Sequence, residues 1–187
     1  AAGHLFRERG IDGVGVADIC KRAGLTHGAL YAHFRSKEEL AVEALADGLA
    51  RSRSKLERVV SGQNGSLRRY LESYLSPRHR DDVAEGCVMA ALGSEVPRHG
   101  KALNQSFTEG LSKMVAAVES LLKGGGKRDK HRLALAISSS MVGALIAARS
   151  TAKTDPELSN EILDSAREAL IELAKTPEAA LANRGET

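Results

Sequence analysis

Side chains able to do covalent or metal chemistry are few in this 187-residue chain, and no spacing gathers them. Cys20 and Cys87 lie far apart, and His4, His27, His33, His79, His99 and His131 never stand beside them at ligand spacing. No metal site and no disulfide framework are therefore expected. Two isolated cysteines fit a reducing compartment, so a cytoplasmic location is expected. The chain has no glycine-rich phosphate loop after a strand and no nucleophile elbow. It is read as a non-enzyme that carries no cofactor.

The chemistry these residues do support is attraction of phosphate. The net charge of +3 lies wholly in the first 37 residues, where Arg7, Arg9, Lys21, Arg22, Arg35 and Lys37 are set against Glu8, Asp12 and Asp18. The other 150 residues hold 21 basic and 21 acidic groups. A compact basic head on a neutral remainder is the footprint of a nucleic-acid binder, and a chance asymmetry of three charges is the competing reading. No run approaches the length of uninterrupted apolar residues that a membrane span needs, so no membrane partner is expected. Ala1 stands where a Met would begin a chain, and an N-terminal stretch is expected to precede it.

The elements that must position these groups are helices. Period-2 alternation is absent and helical periodicity runs nearly throughout, which predicts an all-α chain of about nine helices. A first helix carries Ala2, Leu5 and Phe6 and stops at Gly10; a second spans Val16 to Ala23 and is closed by Gly24; Thr26 caps a third that reaches Phe34. Ser36 and Glu39 form a capping box, with the Glu39 carboxylate expected on the Ser36 N–H. The box opens a fourth helix to Val60 with Leu40, Ala44, Leu45, Leu49, Leu56 and Val60 on its apolar stripe. A break at Gly62–Gly65 precedes a helix from Ser66 to Ser76, a loop over Arg78–Asp82 and a helix from Ala84 to Val96 stopped by Pro97. Long helices then cover Lys101–Leu122, Asp129–Ala152 and Pro156–Lys175, with a connector at Gly124–Gly126 and a frayed tail after Thr176.

Between Gly15 and Phe34 two short helices meet at a tight turn containing Gly24, the geometry of a helix-turn-helix, with Val16, Ile19, Ala23, Leu25, Leu30 and Phe34 expected inside. The run Asp18-Ile19-Cys20, Ala23-Gly24-Leu25-Thr26, Leu30-Tyr31-Ala32-His33-Phe34 and Ser36-Lys37-Glu38-Glu39-Leu40 resembles the head of the TetR family of bacterial regulators. That resemblance covers Ala1 to Leu49; beyond it only the layout of long helices matches. It implies a DNA-binding domain over 1–45, with its motif at 15–34, and a ligand-binding and dimerisation domain over 46–187. It implies that Thr26, Tyr31, His33 and Lys37 contact phosphates, while His27, Gly28 and Ala29 face base edges. Tyr31 as a packing residue and Lys37 as a solvated first-turn lysine are the bland alternatives. The sequence departs from the family at Gly15, Val16 and Ala17, where a hydroxyl or a cation is usual, so a weaker grip from the second helix is expected.

The last two helices read as a homodimer interface through Ser139, Gly143, Leu145, Ala147, Ile162, Ala166, Leu170 and Leu173; intramolecular packing alone is the alternative. The middle helices are expected to wall a pocket with Tyr70, Tyr74, Cys87, Met89, Leu92, Phe107, Leu111 and Met114, each of which could equally be plain core. The segment Gly86–Val96 resembles the matching helix of the TetR-family repressors of N-ethylmaleimide-reductase genes, and Cys87 at a helix N-terminus would suit a thiol sensor. The resulting expectation is a repressor that leaves double-stranded operator DNA when a small apolar effector binds. A thiol- or electrophile-sensing repressor acting through Cys87, and a helical ligand-binding dimer that no longer reads DNA, are the alternatives.

Overall fold

The structure, a computed structural model, describes residues 1–61 and 66–175, without the side chains of Val60 and Ser61. The break expected at Gly62–Gly65, the place of Val60 on its stripe and the tail after Thr176 lie outside the described residues. Among the described residues there are ten α-helices, one 3-10 turn and no strand. The helices are α1 (Ala2–Arg9), α2 (Val16–Ala23), α3 (His27–Tyr31), α4 (Lys37–Ser61), α5 (Leu67–Tyr74), α6 (Pro77–Asp81), α7 (Val88–Leu92), α8 (Lys101–Leu121), α9 (Lys127–Thr151) and α10 (Pro156–Leu173), with the 3-10 turn at Val96–Arg98. They fold into two compact units. The first holds Ala1–Ser54 and Asp82–Ser112, and the second holds Lys55–Asp81 and Lys113–Thr187. The expected head, residues 1–45, lies wholly inside the first unit, which also takes in the segment from Asp82 onward.

In the first unit the local signals act as their chemistry dictates. α1 stops at Gly10, whose φ of 77° is open to glycine, and its N–H closes on the Phe6 carbonyl. Gly24 ends α2 in the left-handed region with φ 66°. Thr26 caps α3 by accepting the Ala29 N–H at 3.1 Å, and Ser36 caps α4 by accepting the Glu39 N–H at 3.1 Å, each cap contributing about 1 kcal/mol. The reciprocal bond of the box is corrected: the Glu39 carboxylate accepts the N–H of Arg35 at 2.6 Å, not that of Ser36. Around these ends Leu5, Phe6, Ile11, Val14, Ile19, Cys20, Leu30, Leu40 and Leu45 form one core, completed by Val88, Leu92, Val96 and Leu103 from the later segment.

Two sequence expectations fail in the middle of the chain. Arg78–Asp82 is not a loop; Pro77 starts the short helix α6, where a missing N–H costs nothing. The expected helix from Ala84 to Val96 is only five residues long: the backbone is still extended at Cys87, its N-cap position, and the chain turns after Leu92, with Pro97 inside the following 3-10 turn.

The second unit is built on a hairpin of α9 and α10, with α5 packed on α10 and α6 on α9. Ile137, Met141, Leu145 and Ala148 of α9 and Leu163 of α10 are fully buried. Arg80 Nη1 donates to Ser159 Oγ and Asn160 Oδ1, both at 2.8 Å, while the Ser159 hydroxyl donates to the Ala148 carbonyl at 2.7 Å. Arg149 donates to the carbonyls of His79 and Arg80, both at 3.1 Å, so a cation closes the C-terminal end of α6. By length and composition α9 could cross a membrane, but one of its faces is buried inside this unit.

Candidate nucleic-acid interface

α2 and α3 pack through Ile19 and Leu30, 2% and 3% exposed, with Val16 and Phe34 partly buried against the same core. Leu30 anchors a recognition helix whose other side chains face out. Thr26, His27, Gly28, Tyr31 and His33 are exposed and Ala29 is half-buried. α3 is shorter than expected, yet Ala32 N–H to Gly28 and Phe34 N–H to Leu30, both at 3.0 Å, carry its hydrogen bonding on to Phe34. Two residues expected inside are corrected: Ala23 is exposed and Leu25 is 48% exposed. The left-handed turn at Gly24, φ 66°, redirects the chain directly before Leu25, which stays outside the core.

The polar groups on this face have definite states. The Thr26 oxygen accepts the Ala29 N–H, which leaves the hydroxyl hydrogen to be donated outward. Gly15, where a capping side chain is missing, is served by Asp18, whose carboxylate accepts the Gly15 N–H at 3.4 Å. Lys37 is half-buried, and its ammonium donates to the carbonyls of Ile11 and Val14 at 3.0 and 3.2 Å. Two of its three N–H groups are thus committed to closing the turn between α1 and α2, and one remains.

Sequence reasoning counted Arg7 among the phosphate-attracting charges of the head and missed its burial. This residue is 4% exposed, and its guanidinium Nε donates to the Ala84 carbonyl. Burial first, then the neighbouring Arg51, pull its pKa below the usual arginine value. A Cβ at Gly48 would lie 3.2 Å from Arg7 Nη1 and 3.3 Å from Val88 Cβ, so glycine there lets α4 close on both. No periodicity or motif marks an arginine for burial, and the helical position of Arg7 beside Phe6 was the only signal.

The residues expected around a ligand divide between the units. Cys87, Met89 and Leu92 are buried and Phe107 and Leu111 half-buried in the first; Tyr70 and Tyr74 are buried and Met114 half-buried in the second. Leu92 belongs to the core beneath the head, with Phe107 packed against it. In the second unit the Tyr70 and Tyr74 rings lie 5.9 Å apart, and Tyr74 meets the edge of His79 at 4.7 Å. Of the residues expected at a dimer interface, Ser139, Gly143 and Ala147 are exposed and Ile162, Ala166 and Leu173 half-buried. Leu145 is corrected: at 0% exposure it faces the chain's own core, across α9 from Gly143, while Leu170, on the same α10 stripe as Ile162, Ala166 and Leu173, is corrected to a residue buried at 5% exposure within this chain.

Residues 1–44 match the family described as bacterial regulatory proteins, tetR family. The HTH-type transcriptional repressor NemR of Escherichia coli (strain K12) is 26% identical over 133 residues, which are 69% of this chain and 66% of that repressor, just under two thirds of its length. The HTH-type transcriptional regulator TtgR of Pseudomonas putida is 41% identical over 64 residues, 34% of this chain and 30% of that one. In fold, the reduced form of the E. coli NemR superposes with a TM-score of 0.77 at 22% identity, covering 95% of each chain. FadR from Bacillus subtilis in complex with stearoyl-CoA gives 0.62 at 18% identity, over 91% of this chain and 94% of that one. The head and the fold agree: residues 1–44 match the tetR family, and the whole chain shares the fold of these solved structures.

Proposed function

We propose that this chain is a cytoplasmic, homodimeric repressor that binds operator DNA through α3 and is released by a small, mostly apolar effector. The observation that carries the reading is the one-sidedness of α3. Leu30 is fixed in the core, and Thr26, His27, Tyr31 and His33 are all presented outward within the 44 residues that match the family. Thr26, Tyr31, His33 and the remaining N–H of Lys37 would grip phosphates, and His27, Gly28 and Ala29 would meet base edges. Two such heads must reach successive major grooves, about 34–36 Å apart, which calls for a dimer. The exposed Ser139, Gly143 and Ala147 on α9, and Leu158 on α10 at 42% exposure, support that interface.

Release follows if the effector binds the splayed state more tightly than the DNA-bound one. The relatives support this class of behaviour: one is named a repressor, and a structural neighbour holds stearoyl-CoA. A coupling of roughly 1–3 kcal/mol gives about 5- to 150-fold release. The test is calorimetric titration of the effector with and without operator duplex selected on the purified protein. Linkage requires operator to weaken effector binding by the factor with which effector weakens operator binding; equal affinities would overturn the mechanism. DNA binding itself is tested by its salt dependence, and a flat response would leave a ligand-binding dimer that no longer reads DNA.

One observation favours a second trigger. Cys87 stands at the N-cap position of α7, whose Val88 and Leu92 are part of the core beneath the head. Alkylation or oxidation of this buried thiol would need that core to give way, so the same segment would carry an electrophile signal to α1. Loss of operator binding on thiol modification in the wild type, but not in Cys87→Ser, would establish it.

A further inference from the structure

Within the first unit, three side chains that no sequence spacing links converge at the base of the head. They are Asp12 in the turn between α1 and α2, and Glu95 and His99 on either side of the 3-10 turn ahead of α8. We propose that they form a binding site for a first-row divalent transition-metal ion, which ties the turn leading into the helix-turn-helix to the turn that starts α8.

One ligand atom from each residue lies within 4.8 Å of the other two. His99 Nε2 stands 3.9 Å from Asp12 Oδ1, too far for a hydrogen bond but close to the span across an ion that sits about 2.0–2.2 Å from each ligand. The same Nε2 is out of solvent and has no hydrogen-bond partner, on a side chain that is 13% exposed. A buried imidazole nitrogen aimed at two carboxylates is what a metal would satisfy.

The surroundings hold the ligands in place. Glu95 Oε2 accepts the Ile11 N–H at 2.7 Å, which orients its carboxylate over the turn. A Cβ at Gly10 would fall on Glu95 Oε1, so glycine is what leaves room for that carboxylate. Asn104 Nδ2 donates to the carbonyls of Val96 and His99 at 3.0 Å and of Gly100 at 3.1 Å, fixing the turn that carries the two later ligands. Two carboxylates and one imidazole suit zinc, cobalt, nickel, iron or manganese better than magnesium, calcium or cuprous ion. Exposed Asp12 leaves one side open for water to complete the coordination.

The full-length protein, stripped with chelator, is to be titrated with Zn²⁺ by calorimetry and with Co²⁺ by absorption. One ion per chain is expected, with cobalt d–d bands and no thiolate charge-transfer band, because neither cysteine takes part. Asp12→Asn and His99→Gln should each weaken binding at least about tenfold, while His131→Gln, at an exposed histidine, should not. Asp12 is 71% exposed, so its variant keeps the fold, which circular dichroism checks. No binding of either ion, or equal binding by wild type and Asp12→Asn, would overturn the proposal.

Discussion

Arg7 on the first helix donates through Nε to the carbonyl of Ala84, 77 residues further along the chain and within the same compact unit. The bond ties the outer helix of the DNA-binding head to the segment that leads into α7, directly ahead of Cys87. Beside it His4 Nε2 lies 3.0 Å from Glu85 Oε1, so two consecutive residues of that segment are held by α1. A guanidinium this buried is costly to desolvate, and its Nη2 has no hydrogen-bond partner. Its value therefore lies in fixing which backbone α1 rests on.

Arg7→Met keeps much of the packing and removes the donor. The Ala84 carbonyl is then left without its partner, at a cost of about 1–3 kcal/mol. Urea unfolding of the variant should show a lower midpoint at unchanged slope. An unchanged midpoint would mean that relief of the buried charge offsets the lost bond.

Lys37 has a structural role beside the phosphate contact proposed for it. Because its ammonium holds the carbonyls of Ile11 and Val14, Lys37→Ala should cost about 1–3 kcal/mol of stability, in addition to lowering the salt slope of DNA binding by about one. Tyr31→Phe, at a position 51% exposed with its ring outside the core, should weaken binding to all sequences alike and leave the unfolding midpoint within about 0.5 kcal/mol of wild type. If Tyr31→Phe binds DNA as tightly as wild type, its phosphate contact is lost.

The two faces of α9 predict opposite outcomes at positions about 3 Å apart in helical rise. Nothing lies within 4 Å of a Cβ built at Gly143, so Gly143→Glu should fold normally and sediment as a monomer. Leu145, fully buried, faces the other way; Leu145→Ala should cost about 2–5 kcal/mol and leave dimerisation of the folded protein intact. Sedimentation of both variants checks the assignment, and a dimeric Gly143→Glu would remove this face from the interface.

The sequence by itself determined the helices whose ends are set within one turn of chain. Gly10 and Gly24 stop α1 and α2 because their backbone conformations exclude a Cβ, and Thr26, Ser36 and Ser66 start α3, α4 and α5 because a hydroxyl three residues upstream meets an orphan N–H. The motif itself was legible for the same reason, since a helix-turn-helix is specified by neighbours. What only the tertiary structure decided involves partners far apart in sequence. Leu25 is apolar and well placed on paper, yet the turn at Gly24 carries it to the surface, while charged Arg7 goes inside because Gly48 and Ala84 make room and supply an acceptor. Lys37 reads as a phosphate contact, or else a solvated first-turn lysine, until Ile11 and Val14 present their carbonyls to it. Apolar periodicity marks Leu145 and Gly143 alike on α9, but only the packing of α10 shows which of them faces the core. Asp12, Glu95 and His99 carry no shared spacing, because the fold that brings them together depends on the burial of Ile11, Val96 and Leu103 in one core.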